Sequence, residues 1–263
     1  MSTMSLAVRD SATMLRRQLR HMSRNLSVTL TLLAVPIIFL LLFVYVLGGT
    51  LGDGLGGGSG GRATYVNYVT PGILLIAIAS AVQGTAISVA MDMREGIIAR
   101  FRTMAIARVS VLTGHVLGSV LQNLFQLAAV LGVAVLVGFR PDATAVEWLA
   151  AAGLLAAVAF ALVWLAVAMG LVTKTVEGAS NLPMPLTLLP FFGSGFVPTD
   201  SLPAGLRWFA EYQPFTPIME TLRGLLLGTP IGGSAAVAVG WCAAIALFGY
   251  VWAKRLYNRD RTR

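Results

Sequence analysis

Long apolar stretches alternate with short polar ones along this chain, and most of the apolar stretches are long enough to cross a lipid bilayer. About 20 helical residues, each rising 1.5 Å, span the roughly 30 Å of hydrocarbon in a membrane. Six apolar stretches carry no charged residue apart from Glu147. We therefore predict six transmembrane spans, at residues 27–47, 69–91, 112–137, 146–172, 181–197 and 233–253.

The fifth stretch differs from the others because it is short and three prolines interrupt it. Pro183, Pro185 and Pro190 each remove a backbone donor, which predicts an irregular or kinked span. Backbone groups freed in this way can pair again elsewhere. We therefore assign these prolines a role in gating, with a static kink as the alternative.

The polar stretch at residues 1–26 is basic and has a helical apolar stripe. It holds five arginines, and Leu15, Leu19 and Met22 recur at helical spacing. This pattern is typical of a helix that lies on an anionic membrane surface. We expect an interfacial helix, with a disordered basic tail as the alternative. Its central residues are Arg16, Arg17, Leu19 and Arg20.

The polar segment at residues 92–110, between the second and third spans, is the most charged internal part of the chain. Ile97, Phe101 and Met104 recur at i, i+4 and i+7 among arginines, which predicts a short amphipathic helix. A solvated loop is the alternative.

Two further polar regions flank the spans. Residues 48–61 are rich in glycine and predict a flexible external loop. They form no phosphate-binding loop, because no Gly-Lys pair occurs in the chain. Residues 198–230 mix apolar and charged positions, and we expect one or two helices there that dip into the outer face without crossing.

Composition supports an integral membrane protein of the all-α class with one domain, residues 1–263. The chain is 57% hydrophobic and only 11% charged, with a mean hydropathy of +0.80, whereas soluble domains carry about 25% charged residues. The apolar runs are long and continuous, which favours helices over a membrane barrel. A single cysteine, Cys242, excludes an internal disulfide, and two lone histidines make no metal site.

The distribution of positive charge predicts the orientation. With six spans, 15 of the 19 lysines and arginines fall on one side of the membrane, and such an excess marks the cytoplasmic side. The protein is then a multi-pass plasma membrane protein with both termini in the cytoplasm. The net charge of +8 follows from this bias and does not indicate nucleic-acid binding.

Small polar residues within the spans are candidates for a substrate path. Such residues also serve to hold helices together, and that alternative stays open. No ionisable residue lies at mid-depth in a span, which disfavours a proton or ion relay and favours an amphiphilic cargo. The candidate path residues are Gln83, Thr85, Ser88, Asn181, Thr187 and Ser194.

Three motifs resemble those of the ABC-2 type permeases, most closely the daunorubicin/doxorubicin-resistance permease family. They are GIIARFRTMAIAR at residues 96–108, YVNYVTPGI at residues 65–73, and SGFVPTDSLPAGLRWFAEYQPFTPIMETLRGLLLG at residues 194–228. The resemblance covers essentially the whole chain. It departs from the family at Ala99, where an acid is common, and at Ala105, where a proline is common.

The resemblance implies a fold and a set of partners. The fold has six spans, an N-terminal interfacial helix, a cytoplasmic coupling helix between spans two and three, and outer re-entrant helices before span six. The partners are two copies of a separate cytoplasmic ABC ATPase, a second permease chain in a homodimer or heterodimer, and membrane lipids. ATP and magnesium bind to the ATPase, and this chain holds no cofactor and is not itself an enzyme. Spans two and five would separate or close at the dimer axis. The coupling residues are Arg94, Glu95, Gly96, Ile97, Arg100, Phe101, Arg102, Met104 and Arg108.

The function implied is the permease of an exporter that moves a hydrophobic or amphiphilic compound, drug-like or lipid-like, out of a bacterial cell. An ABC-2 exporter of polysaccharide, haem or lipid-linked cargo is the main alternative. A passive channel or scaffold subunit would leave the charged segment without a purpose. A membrane-embedded enzyme would need converging catalytic groups, and the spans contain no such pair at helical spacing.

The predicted topology can be tested by cysteine labelling. A cysteine at Ser59 should react with an impermeant reagent from outside the cell, because the loop at residues 48–61 is expected to be external. A cysteine at Ser110 should react only after the cytoplasmic face is opened. The reverse pattern of labelling would overturn the topology.

Overall fold

The computed structural model describes residues 26–55, 61–94, 108–173 and 175–258, and this part of the chain is helical with no strand. The long helices are α1 (Leu26–Leu41), α3 (Gly61–Arg94), α4 (Arg108–Val137), α5 (Ala145–Val172) and α10 (Ser234–Asn258). A π-helical stretch, Leu42–Leu47, joins α1 to α2 (Gly48–Leu55). The shorter helices are α6 (Val176–Asn181), α7 (Met184–Leu188), α8 (Ala204–Tyr212) and α9 (Phe215–Leu227), with 3-10 turns at Leu189–Phe192 and Thr199–Ser201.

Five helical segments within the described residues are long and apolar enough to cross a membrane, which confirms the predicted class of protein. They are Leu33–Leu55, Gly61–Arg94, Val116–Val137, Ala145–Val172 and Ser234–Tyr257. The predicted count of six spans stays a prediction. The predicted span that is not among these five is the fifth apolar stretch, which is divided into short helices.

Helices α3 and α5 form the centre of the bundle. In their most apolar windows, 78% and 72% of the residues are buried, compared with 17–28% in the other three. The outer helices therefore present apolar faces to their surroundings, as lipid-facing helices do. The buried side of α3 extends from Tyr65 to Ala90, and the helix contacts α1, α2, α4, α5, α6, α7 and α9.

The flexible loop predicted at residues 48–61 is corrected by the structure. Gly48–Leu55 is helical and continues the first span, and α3 begins at Gly61, eight residues earlier than predicted. Residues 56–60 lie outside the described residues. A Cβ on Gly52 would lie 1.9 Å from the carbonyl oxygen of Gly61. Gly52 thus permits α2 and α3 to meet in a close hairpin. The glycine is needed there because a side chain would not fit, and not because the backbone must be flexible.

The proline-rich fifth stretch is irregular in the structure. Pro183 precedes α7, and its carbonyl accepts from the amides of Leu186 and Thr187. Pro190 lies in the first turn of the 3-10 segment Leu189–Phe192. A turn that contains Gly193, Ser194 and Gly195 follows. Each proline supplies no backbone donor, so the stretch divides into α6, α7 and a 3-10 turn.

The region at residues 198–230 contains two helices, α8 and α9. The α8 surface carries an exposed ion-pair group, in which Arg207 meets Asp200 at 2.6 Å and Glu211 at 2.7 Å. Helix α9 is largely buried against the rest of the bundle. Whether this pair enters the membrane without crossing it stays a prediction.

Two ends of the bundle can be distinguished by their contacts. At the hairpin end, the Arg140 amide donates to Asn67 (3.0 Å) and the Asp142 amide donates to the carbonyl of Leu226 (3.1 Å). This end therefore joins the start of α3, the α4–α5 connection and α9. At the opposite end, a second apolar cluster includes Val89, Leu171 and Tyr257. Helix α3 ends there at Arg94.

Helix α5 packs against α3 at a glycine. A Cβ on Gly170 would lie 2.6 Å from the carbonyl oxygen of Ala86 and 2.8 Å from the Cβ of Val89. Membrane helices gain no hydrophobic free energy by leaving lipid for one another, so such close contact supplies much of their association.

Replacing Gly170 by alanine should therefore destabilise the bundle by about 1–3 kcal/mol, because the added methyl group forces α3 and α5 apart. The measurement is thermal unfolding of the purified protein in detergent. Gly153→Ala on the same helix is the matched control, since a Cβ there meets nothing within 4 Å. Its melting temperature should equal or exceed that of the wild type. A Gly170→Ala protein as stable as Gly153→Ala would contradict the packing.

Candidate functional site: a polar seam at the hairpin end

The charged segment predicted to couple to an ATPase begins and ends at described residues. Arg94 is the last residue of α3 and Arg108 is the first of α4. The coupling residues between them lie outside the described residues: Glu95, Gly96, Ile97, Arg100, Phe101, Arg102 and Met104. The predicted interfacial residues Arg16, Arg17, Leu19 and Arg20 lie outside them as well. The roles of both groups stay predictions.

One of the candidate path residues on α3, Gln83, holds two helices together. The Gln83 amide donates to the carbonyl of Ser180 (2.9 Å) and to its hydroxyl (3.0 Å), which ties α3 to α6. The Thr85 hydroxyl donates to the carbonyl of Ala81 within its own helix (3.1 Å). The Gln83 bonds are of the kind expected for polar residues that join helices, whereas the Thr85 bond stays within α3. The third, Ser88, is half-buried.

The other candidate path residues are spread along the broken fifth stretch. Asn181 is exposed at the end of α6. The Thr187 hydroxyl donates to the carbonyl of Pro183 at 3.5 Å. Ser194 is buried, and its hydroxyl has no partner among the described residues. A role in a substrate path stays a prediction for each of the six candidates.

The structure brings together a polar group that the sequence did not reveal. We name it the polar seam, and it is formed where the turn at residues 193–196 meets helix α9. Its members are Ser194 in the turn, Gln213 just before α9, and Thr216 and Arg223 on α9. A Cβ on Gly193 would lie 2.9 Å from Gln213 Nε2 and 3.0 Å from Thr216 Oγ1. The absence of a side chain at Gly193 thus lets these polar atoms reach the backbone of the turn.

Arg223 connects three elements at the seam. One of its terminal nitrogens donates to the carbonyl of Ser194 at 2.7 Å and lies 3.4 Å from the carbonyl of Tyr68. The guanidinium carbon is 3.9 Å from the centroid of the Tyr68 ring, a cation–π distance. Helix α9 is thereby fixed to α3 and to the turn. Nearby, the Ser234 hydroxyl donates to Glu220 at 2.8 Å and fixes α9 to α10.

Several polar atoms in the seam have no hydrogen-bond partner among the described residues. They are the hydroxyl of Ser194, both amide atoms of Gln213 and the Nε of Arg223. Ser194 and Gln213 are each only 4% exposed. The Thr216 hydroxyl, in contrast, donates to the carbonyl of Ala210. The seam therefore has unused donors and acceptors in a region closed to water.

An aromatic cluster lies beside the seam, formed by Phe39, Phe43, Phe191 and Phe196. The Phe191 and Phe196 rings are stacked at 5.1 Å with an interplanar angle of 13°. Phe43, from the π-helical stretch, lies 4.5 Å from Phe196, and Phe39 lies 5.3 Å from Phe191. The Tyr65 hydroxyl donates to the carbonyl of Phe196 at 3.3 Å. The same short turn therefore borders a planar apolar surface and a polar one.

Sequence reasoning missed the seam for two different reasons. Arg223 falls in the region at residues 198–230 that is predicted at the outer face, but Met219 at i−4 and Leu226 at i+3 place it beside the apolar face of α9. That spacing was a usable signal. Gln213 precedes Pro214 after an exposed helix, and nothing in its sequence context indicates that it is buried.

Comparison with known proteins gives a consistent result. A family model described as ABC-2 type transporter matches residues 10–227. A daunorubicin resistance ABC transporter permease protein of Streptomyces coeruleorubidus is 27% identical over 188 residues, which are 69% of this chain and 66% of that protein. A probable doxorubicin resistance ABC transporter permease protein of Mycobacterium tuberculosis is 28% identical over 180 residues, 66% of this chain and 64% of that protein. The chain thus spans slightly less than two thirds of the length of these relatives.

Arg223 should matter for stability because it serves three elements at once. Arg223→Met keeps much of the side-chain length but leaves the Ser194 carbonyl without its donor and Glu220 without a nearby positive charge. We expect a loss of about 2–3 kcal/mol, typical of a buried charge-assisted hydrogen bond, measured by thermal unfolding in detergent. The control is Arg207→Met on exposed α8, which should melt close to the wild type because surface ion pairs contribute little. Equal melting of the two variants would show that Arg223 gives no net stabilisation.

Proposed function

Because the chain belongs to the ABC-2 type transporter family, we propose that it is the permease subunit of an ATP-driven exporter of a hydrophobic or amphiphilic compound. The observation that carries the proposal is the family match over residues 10–227. The five long apolar helices support it, since they suit a multi-pass membrane protein. The names of two relatives refer to resistance to daunorubicin and doxorubicin, and they favour a drug-like or lipid-like cargo.

The energy would come from a partner. The proposed partner is a cytoplasmic ABC ATPase in two copies, which binds ATP and magnesium, under a homodimer or heterodimer of permease chains. Arg94, Glu95, Arg100 and Arg102 would form polar contacts with each ATPase, with Arg108 at the end of the segment. The apolar residues Ile97, Phe101 and Met104 would fill a groove in it, next to Gly96.

The proposed orientation places the charged segment in the cytoplasm of a bacterial cell and the hairpin end outside the plasma membrane. Its support is the bias of 15 of 19 positive charges. The described part of the chain is compatible with it, because Arg62, Arg140 and Arg223 all lie at the hairpin end. Both termini would then be cytoplasmic.

Helix α3 supplies a physical route from the ATPase to the other side of the membrane. It is one continuous helix from Gly61 to Arg94, so Tyr68 and Arg94 are about 39 Å apart along its axis. Gln83 ties it to α6, and Tyr68 contacts Arg223 of α9. A movement of the coupling segment would therefore act on the broken stretch, whose three prolines would take part in gating, and on the seam.

A second cargo class, polysaccharide, haem or lipid-linked product, fits the same family. Transport by the complex reconstituted in vesicles distinguishes the two classes. Uptake of daunorubicin into inverted vesicles on addition of ATP supports the drug-like class. Uptake of a haem or lipid-linked compound without any movement of daunorubicin would assign the other.

The coupling assignment can be tested by charge reversal. Glu95→Lys combined with Arg102→Glu should reduce stimulated ATPase activity of the complex to its basal level, because both polar contacts with the ATPase become repulsive. The thermal unfolding of the permease should not change. Lys254→Glu with Arg255→Glu, at the exposed end of α10, is the control and should keep the stimulation. Full stimulation in the first variant would remove the coupling assignment.

A further inference from the structure

Helix α8 presents a large apolar surface for a helix with few neighbours. Of its nine residues only Ala210 is buried, and its main contacts are with α9 and with the two 3-10 turns. Trp208 and Tyr212 are 65% and 66% exposed, and their ring centroids lie 5.4 Å apart. Leu206 and Phe209 are exposed as well. Contiguous exposed apolar surface of this kind marks contact with a partner or with a membrane.

The exposed residues of α8 are sorted around the helix axis. Successive residues of an α-helix are about 100° apart, so Trp208 and Tyr212 share an arc that is about 160° from buried Ala210. This outward arc has an apolar flank on one side and a charged flank on the other. The apolar flank consists of Leu206 and Phe209, and the charged flank consists of Arg207 and Glu211.

Contacts with neighbouring segments show which flank faces the membrane. The Phe209 ring meets the Phe192 ring edge to face, with centroids 6.3 Å apart, and Phe192 belongs to the proline-rich fifth apolar stretch. On the other flank, Arg207 pairs with Asp200 of the 3-10 turn Thr199–Ser201. The apolar flank thus continues onto an apolar segment, and the charged flank continues onto a polar turn.

This arrangement matches the boundary between lipid headgroups and acyl chains. Tryptophan and tyrosine are enriched at that boundary because each has an apolar body and a polar tip. An amphipathic helix that lies there directs its apolar flank towards the acyl chains and its charged flank towards water. A second copy of the chain matches less well, because the centre of a protein interface is depleted in charged residues, and the outward arc adjoins Arg207 and Glu211.

We propose that α8 lies in the plane of the membrane surface, where Trp208 and Tyr212 anchor it to the lipid headgroup region. The partner of this surface is the lipid bilayer itself. From the sequence we expect helices at residues 198–230 that dip into the outer face, and an α8 that lies flat departs from that expectation. An anchor of this kind is additional to the proposed export function and depends only on the membrane class of the protein.

An anchored α8 holds the neighbouring segments at a fixed depth. The Thr216 hydroxyl of α9 donates to the carbonyl of Ala210, which connects the buried side of α8 to the start of α9. Further along α9, Arg223 donates to the carbonyl of Ser194. The level of α8 in the membrane is therefore passed through α9 to the turn at residues 193–196.

The first test measures depth across the helix. A single cysteine replaces Phe209 or Glu211 in a Cys242→Ala background, and it is spin-labelled in the full chain in nanodiscs of phosphatidylcholine and phosphatidylglycerol. Oxygen concentrates in hydrocarbon and a nickel chelate stays in water, so their collision rates with the label report its depth. The two positions lie on nearly opposite sides of α8. The label at Phe209 should therefore lie about 10 Å deeper than the label at Glu211, which is the diameter of a helix that lies flat.

The second test measures depth along the helix. Gly205 and Tyr212 lie on nearly the same arc, and a Cβ on Gly205 meets nothing within 4 Å, so a cysteine is tolerated there. Labels at these two positions should have equal depth if α8 lies flat. They are about 10 Å apart along the axis, so a helix that dips into the membrane places one about 10 Å deeper than the other.

Two controls calibrate the measurements. Phe125→Cys on α4, at a position 61% exposed within a candidate span, supplies the reference for a label in hydrocarbon. Each labelled variant should keep the melting temperature of the Cys242→Ala parent, because substitutions at exposed positions have small effects on stability.

Each pattern of depths has a definite meaning. A difference across the helix, with none along it, supports the lipid anchor. A difference along the helix with none across it means that α8 dips into the bilayer, and free access of nickel to all four labels means that α8 lies in water; either result overturns the anchor. Exclusion of both reagents from the labels at Gly205 and Tyr212 means that a second copy or another protein covers the arc, which overturns it as well. None of these results bears on export, which the transport measurement in vesicles tests separately.

Discussion

Close contact between helix backbones is the constraint on which this bundle depends. Lipid tails are as apolar as the side chains of the spans, so burying leucine against leucine gives little net free energy inside a membrane. The helices are therefore held together by short-range dispersion and by hydrogen bonds for which water does not compete. Gly170 lets α5 approach Ala86 and Val89 of α3, and Gly72 lets α3 approach the backbone of Gly195. Helix α3 is thereby enclosed along almost its whole length.

A central helix held in this way links the two ends of the molecule. Arg94 ends α3 where the charged segment begins, and Tyr68 near its start lies under the Arg223 guanidinium. A rigid helix between two sites is a physical connection, but coupling also needs an element with two arrangements. The broken stretch from Val176 to Phe196 is suited to be that element, because its prolines leave it with fewer internal backbone bonds than a continuous helix.

The polar seam shows how polarity is distributed in this protein. Arg223 is bound to two backbone carbonyls and a ring, with Glu220 one turn away, so most of its capacity is matched. Gln213 and Ser194 have no such partners in the described part of the chain, yet they lie at the same turn. The matched groups of Arg223 hold α9 against α3 and against the turn at residues 193–196.

Hydropathy alone determined the membrane class, because bilayer thickness fixes how many apolar residues must be continuous. The three motifs determined the family resemblance, and the prolines determined that the fifth stretch is irregular. Contacts between distant segments were decided only in the tertiary structure. The sequence indicated a flexible loop at residues 48–61, but Gly48–Leu55 is helical and Gly52 meets Gly61 across a hairpin. Likewise, Gln213 and Ser194 are 19 positions apart and share one site only because α9 folds back onto the turn, a proximity that no local pattern encodes.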